Sequence, residues 1–197
     1  MSERLDIPVL ETPRLRLRAL VESDAASMHE FYGDAETMRY WDARPSRNIA
    51  ETADHIRRSQ EMSAQCHAAW AVTFREDDCM IGMVNYHERH PRLRRLSVGW
   101  LLAKPWWRRG IMREAVPAFL TYCFDRLESH RIEARIEPGN VASIQLAKRL
   151  GFQREGLMRD CLFIGGRPHS QYLYALLQPV WRRQKIANGA PPKDRKR

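Results

Sequence analysis

No stretch of this sequence is apolar for long enough to cross a membrane; the longest, AVPAFLTYCF, is about half of the ~20 residues that a span requires. The opening MSERLDIPVL mixes acids and bases without the apolar core of a secretion signal, so a cytoplasmic location is expected. Cysteine is scarce and scattered. Cys66, Cys79, Cys123 and Cys161 include no C-x-x-C pair, which argues against a disulfide framework or a zinc site and predicts reduced, mostly buried thiols. His87 and His90 lie three apart with no third ligand near them, and no metal is expected. There is no internal repeat, no helix-turn-helix pattern and no aromatic-interleaved RNA motif.

What is there suits one domain with a proper core: 197 residues, 44% hydrophobic and 29% charged. Most of the net charge of +9 is local, since six of those nine positive charges fall from Gln178 onward. Residues 1–177 therefore read as the folded domain. Residues 178–197 read as a basic tail, poor in large apolar groups and expected to be disordered. Such a tail could touch RNA by counterion release; specific nucleic-acid recognition is not expected.

The hydrophobic pattern predicts an α+β order. RLRLRAL, Arg14–Leu20, alternates with period two and reads as a strand with one wet face. A helix follows over ESDAASMHEFYGD, with Ser23 or Asp24 as N-cap and Gly33 as stop, and a second helix spans about Ile49 to Cys66. Trp70–Phe74, Met80–His87 and Leu96–Ala103 read as three antiparallel strands. The next helix carries Ile111, Ala115, Ala118, Phe119 and Tyr122 on one face, with Pro117 predicting a kink or a late start. Arg131–Pro138 is a strand. NVASIQLAKRLGF is a helix capped by Asn140 and closed by Gly151, and a hairpin turns at Gly165–Gly166.

Between the third of those strands and the middle helix lies LAKPWWRRGIMREA, which concentrates aromatic surface and positive charge at a helix entrance. A helix N-terminus presents unpaired N–H groups and the positive end of the helix dipole. Those of about Trp107 to Met112 would converge here, Gly110 would allow close approach, and Arg108 and Arg109 add full charges. A diphosphate suits that set better than a single carboxylate. A basic surface turn that merely starts a helix remains the alternative.

From Thr12 to Leu177 the chain resembles the GNAT N-acetyltransferase superfamily, in its ribosomal-protein-acetylating (RimJ/RimL-like) branch. The resemblance rests on TPRLRLRAL, Ile81–Gly82, VGWLLAKPWWRRGIMREA, PGNVASIQLAKRLGF, REG and YLYALL, in that order. It implies one twisted mixed sheet of about seven strands, splayed into a V between the fourth and fifth and flanked by about four helices. It also implies acetyl-CoA as co-substrate, with no metal. The family's phosphate loop falls on Trp107, Arg108, Arg109, Gly110, Ile111 and Met112. Trp107 stands where Gln or Arg is usual and Met112 where Gly or Ala is usual, so Met112 must point away from the phosphates. Backbone groups of Trp100, Leu101 and Leu102 are implied to pair with the pantetheine as an added strand. Asn140 and Ser143 fall on the family's Asn and Ser positions, Ser143 as proton donor to the departing thiolate.

The reaction so implied needs a base for the attacking amine. Close relatives carry an acid on the sixth strand, where this chain has Leu162, and an Asp just after the final turn, where it has His169 and Ser170. Glu137 is the remaining carboxylate of choice for the base, with His169 second. The expected activity is acetyl transfer to a primary amine, a protein N-terminus being preferred over a small molecule. The alternative is a CoA-binding relative without chemistry. A monomer and a homodimer are both compatible with the sequence.

Overall fold

The computed structural model describes residues 7–187. Its strands are β1 (Leu10–Glu11), β2 (Leu15–Ala19), β3 (Ala68–Phe74), β4 (Gly82–His90), β5 (Arg95–Leu102), β6 (Arg131–Ile136), β7 (Gln153–Ile164) and β8 (Arg167–Leu177). The helices are α1 (Ala25–Tyr32), α2 (Ile49–Glu61), α3 (Ile111–Asp125), α4 (Val141–Arg149) and α5 (Gln178–Ala187). The strands form one sheet in the order β1-β2-β3-β4-β5-β6-β8-β7, antiparallel except where β5 meets β6. The architecture is α+β, as expected, with eight strands rather than about seven and five helices rather than about four. The extra strand is the two-residue edge β1; the extra helix is α5.

Local chemistry accounts for most of these elements. The period-two alternation of β2 puts Leu15 and Leu17 fully out of solvent, while Arg16 stays partly exposed and Arg18 pairs with Asp24. Asn48 caps α2 by accepting the Glu51 N–H at 2.9 Å. That helix ends at Glu61, short of the expected Cys66, because the Cys66 and His67 N–H groups turn back onto the Ser63 carbonyl and redirect the chain into β3. Helix α3 starts at Ile111 and runs through Pro117, so the late start does not occur. Ile111, Ala115, Phe119 and Tyr122 are buried on it as their spacing predicts, while Ala118 of the same predicted face is only partly buried.

Two apolar clusters sandwich the sheet. The larger joins Trp70, Val84, Leu96 and Val98 to α3 and to Leu146 and Ala147 of α4. The smaller packs Ala71, Met83 and Leu101 against α1 and α2. The thiols are not mostly buried: Cys66, Cys79 and Cys161 are exposed and only Cys123 is enclosed. The exposed ones sit in the turn before β3, between β3 and β4, and on the edge strand β7.

The expected disordered segment from Gln178 begins instead as α5. Trp181 anchors it, 5% exposed and stacked on Phe124 with ring centroids 5.9 Å apart; the Gln178 N–H also donates to the His130 carbonyl at 2.9 Å. One large aromatic outweighs the surrounding charge. The rest of the tail, 188–197, lies outside the described residues, and with it most of the proposed RNA contact. Trp181→Ala should destabilise the protein by about 3 kcal/mol or more in urea unfolding, whereas Arg182→Ala on the exposed side should stay within about 0.5 kcal/mol.

Candidate active site

The parallel ladder between β5 and β6 consists of Arg95–Arg131, Leu96–Ile132 and Ser97–Glu133, and then stops. Beyond it β5 stays paired with β4 as far as Leu102, while β6 stays paired with β8 as far as Ile136. The two arms diverge into a V that opens the sheet from one face to the other. Trp100, Leu101 and Leu102 all lie on the β5 arm past the last shared rung.

The arms lead into two helix entrances. Past β5, the chain turns through Lys104–Gly110 into α3. Arg108 and Gly110 have left-handed φ values of +60° and +75°, and Arg109 between them does not. Such alternation turns successive N–H groups toward one point and makes an anion-binding concavity. A Cβ on Gly110 would meet only the Arg14 guanidinium, at 3.7 Å, so its outer side is open. The Arg108 and Arg109 side chains are exposed, the latter lying 5.1 Å over the Trp106 ring. Ile111 and Met112 point inward, and Met112 Cε sits against Gly82, away from the turn's mouth. Trp107 has a structural role: its indole N–H donates to the Leu102 carbonyl at 2.7 Å, tying the turn to the end of β5.

Past β6, Asn140 caps α4 by accepting the Ser143 N–H at 3.1 Å. The Ser143 hydroxyl in turn accepts the Trp100 indole N–H at 3.1 Å. That bond spans the V, and it leaves the hydroxyl hydrogen of Ser143 free to donate elsewhere.

Paired strands share a side-chain face, so the register assembles the opposite face of the V. It carries Asn85 and His87 of β4, Ser97 and Gly99 of β5, Glu133 and Arg135 of β6, and Gln171 and Leu173 of β8. His169, two residues from Gln171, donates through Nδ1–H to Glu137 Oε1 at 2.9 Å, with the two side chains 26% and 14% exposed. The two candidate bases are therefore one unit. His169 is also the cross-strand partner of Leu162, the position where the resemblance led to an acid. Glu88, thrown onto this face by a bulge and a φ of +50°, grips Arg135 through both oxygens at 2.5 and 3.0 Å. Burial holds the His87 imidazole below its ordinary range, although Glu88 and Asp42 pull the other way.

A short strap after α1 roofs this face. Tyr40 lies against one arm and Trp41 against the other: a Cβ on Gly139 would meet the Tyr40 hydroxyl at 3.1 Å, and one on Gly99 would meet Trp41 Cη2 at 3.1 Å. Trp41 is itself held by donating its indole N–H to the Tyr32 hydroxyl at 3.1 Å. Lys104 and Glu36 form an ion pair that pins the strap to the segment after β5. Beneath Trp41 sits Asn85, 8% exposed, whose Oδ1 is buried and accepts no hydrogen bond among the described residues. Such a stranded oxygen costs about 1–3 kcal/mol.

Neither the strap nor Asn85 emerges from motif reading. The lone polar residue inside MIGMVNYH is the one signal that marks Asn85. The Arg14–Glu114 clamp is likewise invisible in sequence: Glu114 in the first turn of α3 accepts from Thr12 Oγ1 at 2.6 Å, Arg14 N at 2.8 Å and Arg14 Nε at 2.6 Å.

Comparison with known proteins assigns this arrangement. Residues 14–153 match the acetyltransferase (GNAT) domain family. The chain belongs to that family. It is 32% identical over 170 residues to the uncharacterized N-acetyltransferase p20 of Bacillus licheniformis, covering 86% of this chain and 96% of that one. It is 28% identical over 178 residues to the [ribosomal protein uS5]-alanine N-acetyltransferase of Escherichia coli, covering 87% and 92%. The fold superposes on spermidine N-acetyltransferase from Vibrio cholerae, solved with CoA and spermine, with a TM-score of 0.76 at 23% identity, covering 87% and 99%. The protein is thus a GNAT-family acetyltransferase. Among the described residues there is no cluster able to hold a metal ion, and no helix long and apolar enough to cross a membrane.

The Glu114 clamp gives a pH-dependent test. Burial would raise its carboxyl pKa, but hydrogen bonds from Thr12 and Arg14 outweigh that and leave it lowered from the ordinary 4.5. Its stabilisation is complete above about pH 4.5 and is lost as pH falls through the lowered value. The stability gap between wild type and Glu114→Gln in urea should therefore be widest near neutrality and shrink steadily below pH 4.5.

Proposed function

We propose that this GNAT acetyltransferase moves the acetyl group of acetyl-CoA onto a primary amine, and that the amine is the N-terminal α-amino group of a peptide or protein. The observation that carries the reading is the Glu137–His169 pair, set on one face of the V while Trp100 and Ser143 close on the other. In this reading the diphosphate of CoA lies on the N–H groups from Trp107 to Met112, beside Arg108 and Arg109. The pantetheine runs along Trp100, Leu101 and Leu102, with Asn140 and Ser143 near the sulfur. The V lets thioester and amine meet from opposite faces.

The chemistry follows from those placements. With Nδ1–H donated to Glu137, His169 keeps a basic Nε2, which takes a proton from the attacking amine. The amine nitrogen bonds the acetyl carbon, and a β5 N–H beside the split stabilises the oxyanion. When the carbon–sulfur bond breaks, Ser143 donates a proton to the thiolate. Leu162 favours the second reading, a CoA-binding relative without chemistry; His169 standing opposite it weighs against that.

Charge on the acceptor face supports a peptide over a polyamine. Asp42 of the strap, near His87, has no ion-pair partner among the described residues, but on the sheet Glu88 is engaged by Arg135, Glu133 by an Arg131 that it shares with Glu155, and Glu137 by His169. A polycation would want free carboxylates there. The relatives' names include both ribosomal-protein and spermidine acceptors, so the wild type should be assayed with N-terminal peptides beside polyamines.

Glu137→Gln and His169→Asn should each lower kcat about a hundredfold or more with CoA affinity nearly unchanged; normal turnover in both would remove the pair as base. Reversing both Arg108 and Arg109 to Glu should weaken CoA binding by at least tenfold, about 1.4 kcal/mol, as read by calorimetry. Unchanged affinity would place the phosphates elsewhere.

A further inference from the structure

On the strands of the acceptor face, among the described residues, Asn85 is the one polar side chain that is almost fully enclosed yet has an oxygen without a partner. Its neighbours on that face have partners: Glu88 and Arg135 hold each other, although Arg135 Nε is also buried without a partner, Glu137 holds His169, and Ser97 lies within 3.4 Å of Glu88. The register places Asn85 directly opposite Gly99, two residues past the last rung shared by β5 and β6, where the sheet begins to part. Gly99 has no side chain to fill the space, and its Cβ would lie 2.5 Å from Asn85 Oδ1. Trp41 covers the spot from the strap and is itself only partly buried.

From this arrangement we infer that Asn85 Oδ1 is the hydrogen-bond acceptor that positions the attacking amine. Arrival of the acceptor shifts the Trp41 indole, and an amine N–H then pairs with the stranded oxygen. A carbonyl oxygen suits this task because it holds an amine without stabilising the ammonium form as a carboxylate would. The lone pair is thereby left free to face the thioester carbon. The glycine at position 99 is required for this, since any side chain there would occupy the path. The inference rests on the acetyltransferase reading above and adds the residue that holds the acceptor.

The test is steady-state kinetics of Asn85→Leu, which keeps the volume and removes the carboxamide, on whichever amine the wild type acetylates. The acceptor KM should rise about tenfold or more and CoA affinity should hold within about twofold. The thermal midpoint should hold or rise, because no hydrogen bond between protein groups is lost. Asn85→Ser is read the same way should the leucine variant fail to fold. An acceptor KM within about twofold of wild type overturns the role of Asn85, as does a loss of CoA affinity parallel to the loss of acceptor affinity. If the wild type prefers polyamines to peptides, only the peptide assignment fails, and the KM comparison on polyamine still decides for or against Asn85.

Discussion

The structure depends on a sheet that is forced to come apart. Strand β5 is registered along nearly its whole length to β4, and β6 to β8, so each half is fixed by its own outer partner. Only Arg95–Ser97 and Arg131–Glu133 are close enough to pair, and past them the halves twist away from each other. Main-chain groups along the inner edges of the V then need partners from elsewhere. The side chains that span or brace the gap, Trp100 on Ser143 and Trp107 on the Leu102 carbonyl, leave most of that edge to a ligand. An added strand is the natural occupant of such an edge.

The two faces of the V divide the labour. On the α3 side the residues are apolar, Val98, Trp100 and Ile136 among them. On the other side the polar side chains come in bonded groups: Glu88 with Arg135, Glu133 and Glu155 with Arg131, and Glu137 with His169. Leu162 on β7 stands across one register step from His169 on β8, which is bonded to Glu137 just past the end of β6. A polar pair thus occupies the neighbouring strands where the resemblance led to an acid on β7.

What could be read in sequence was whatever is local. Leu15 and Leu17 alternate, Ile111, Ala115, Phe119 and Tyr122 repeat at helical spacing, and Asn140 with Ser143 spells a cap, because each signal lies within one element. Resemblance to a family added the V. The rest required register. Glu137 and His169 are 32 residues apart, and only the pairing of β6 with β8 brings them to 2.9 Å. Thr12 and Glu114 are 102 apart. Helix α5 is not legible because its composition is dominated by charge while one buried tryptophan decides its fold. Cys66, Cys79 and Cys161 are exposed because a thiol's burial is set by the element that carries it, and these are on turns and an edge.

The Arg14–Glu114 clamp settles a conflict built into the α3 entrance. A carboxylate in the first turn of a helix is favoured by the helix dipole, but the same charge would repel a diphosphate gathered on the N–H groups just before it. Here Glu114 is turned onto Thr12 and Arg14, and Arg14 also leans on the Arg109 carbonyl at 3.4 Å. The acid is thus neutralised from the β2 side, and the guanidinium that does it stands within van der Waals distance of the open side of Gly110. The first turn keeps a residue that stabilises the helix while its charge is met by a guanidinium. Thr12 and Arg14, just before β2 and far from the V along the sheet, are in this way tied to the entrance of α3.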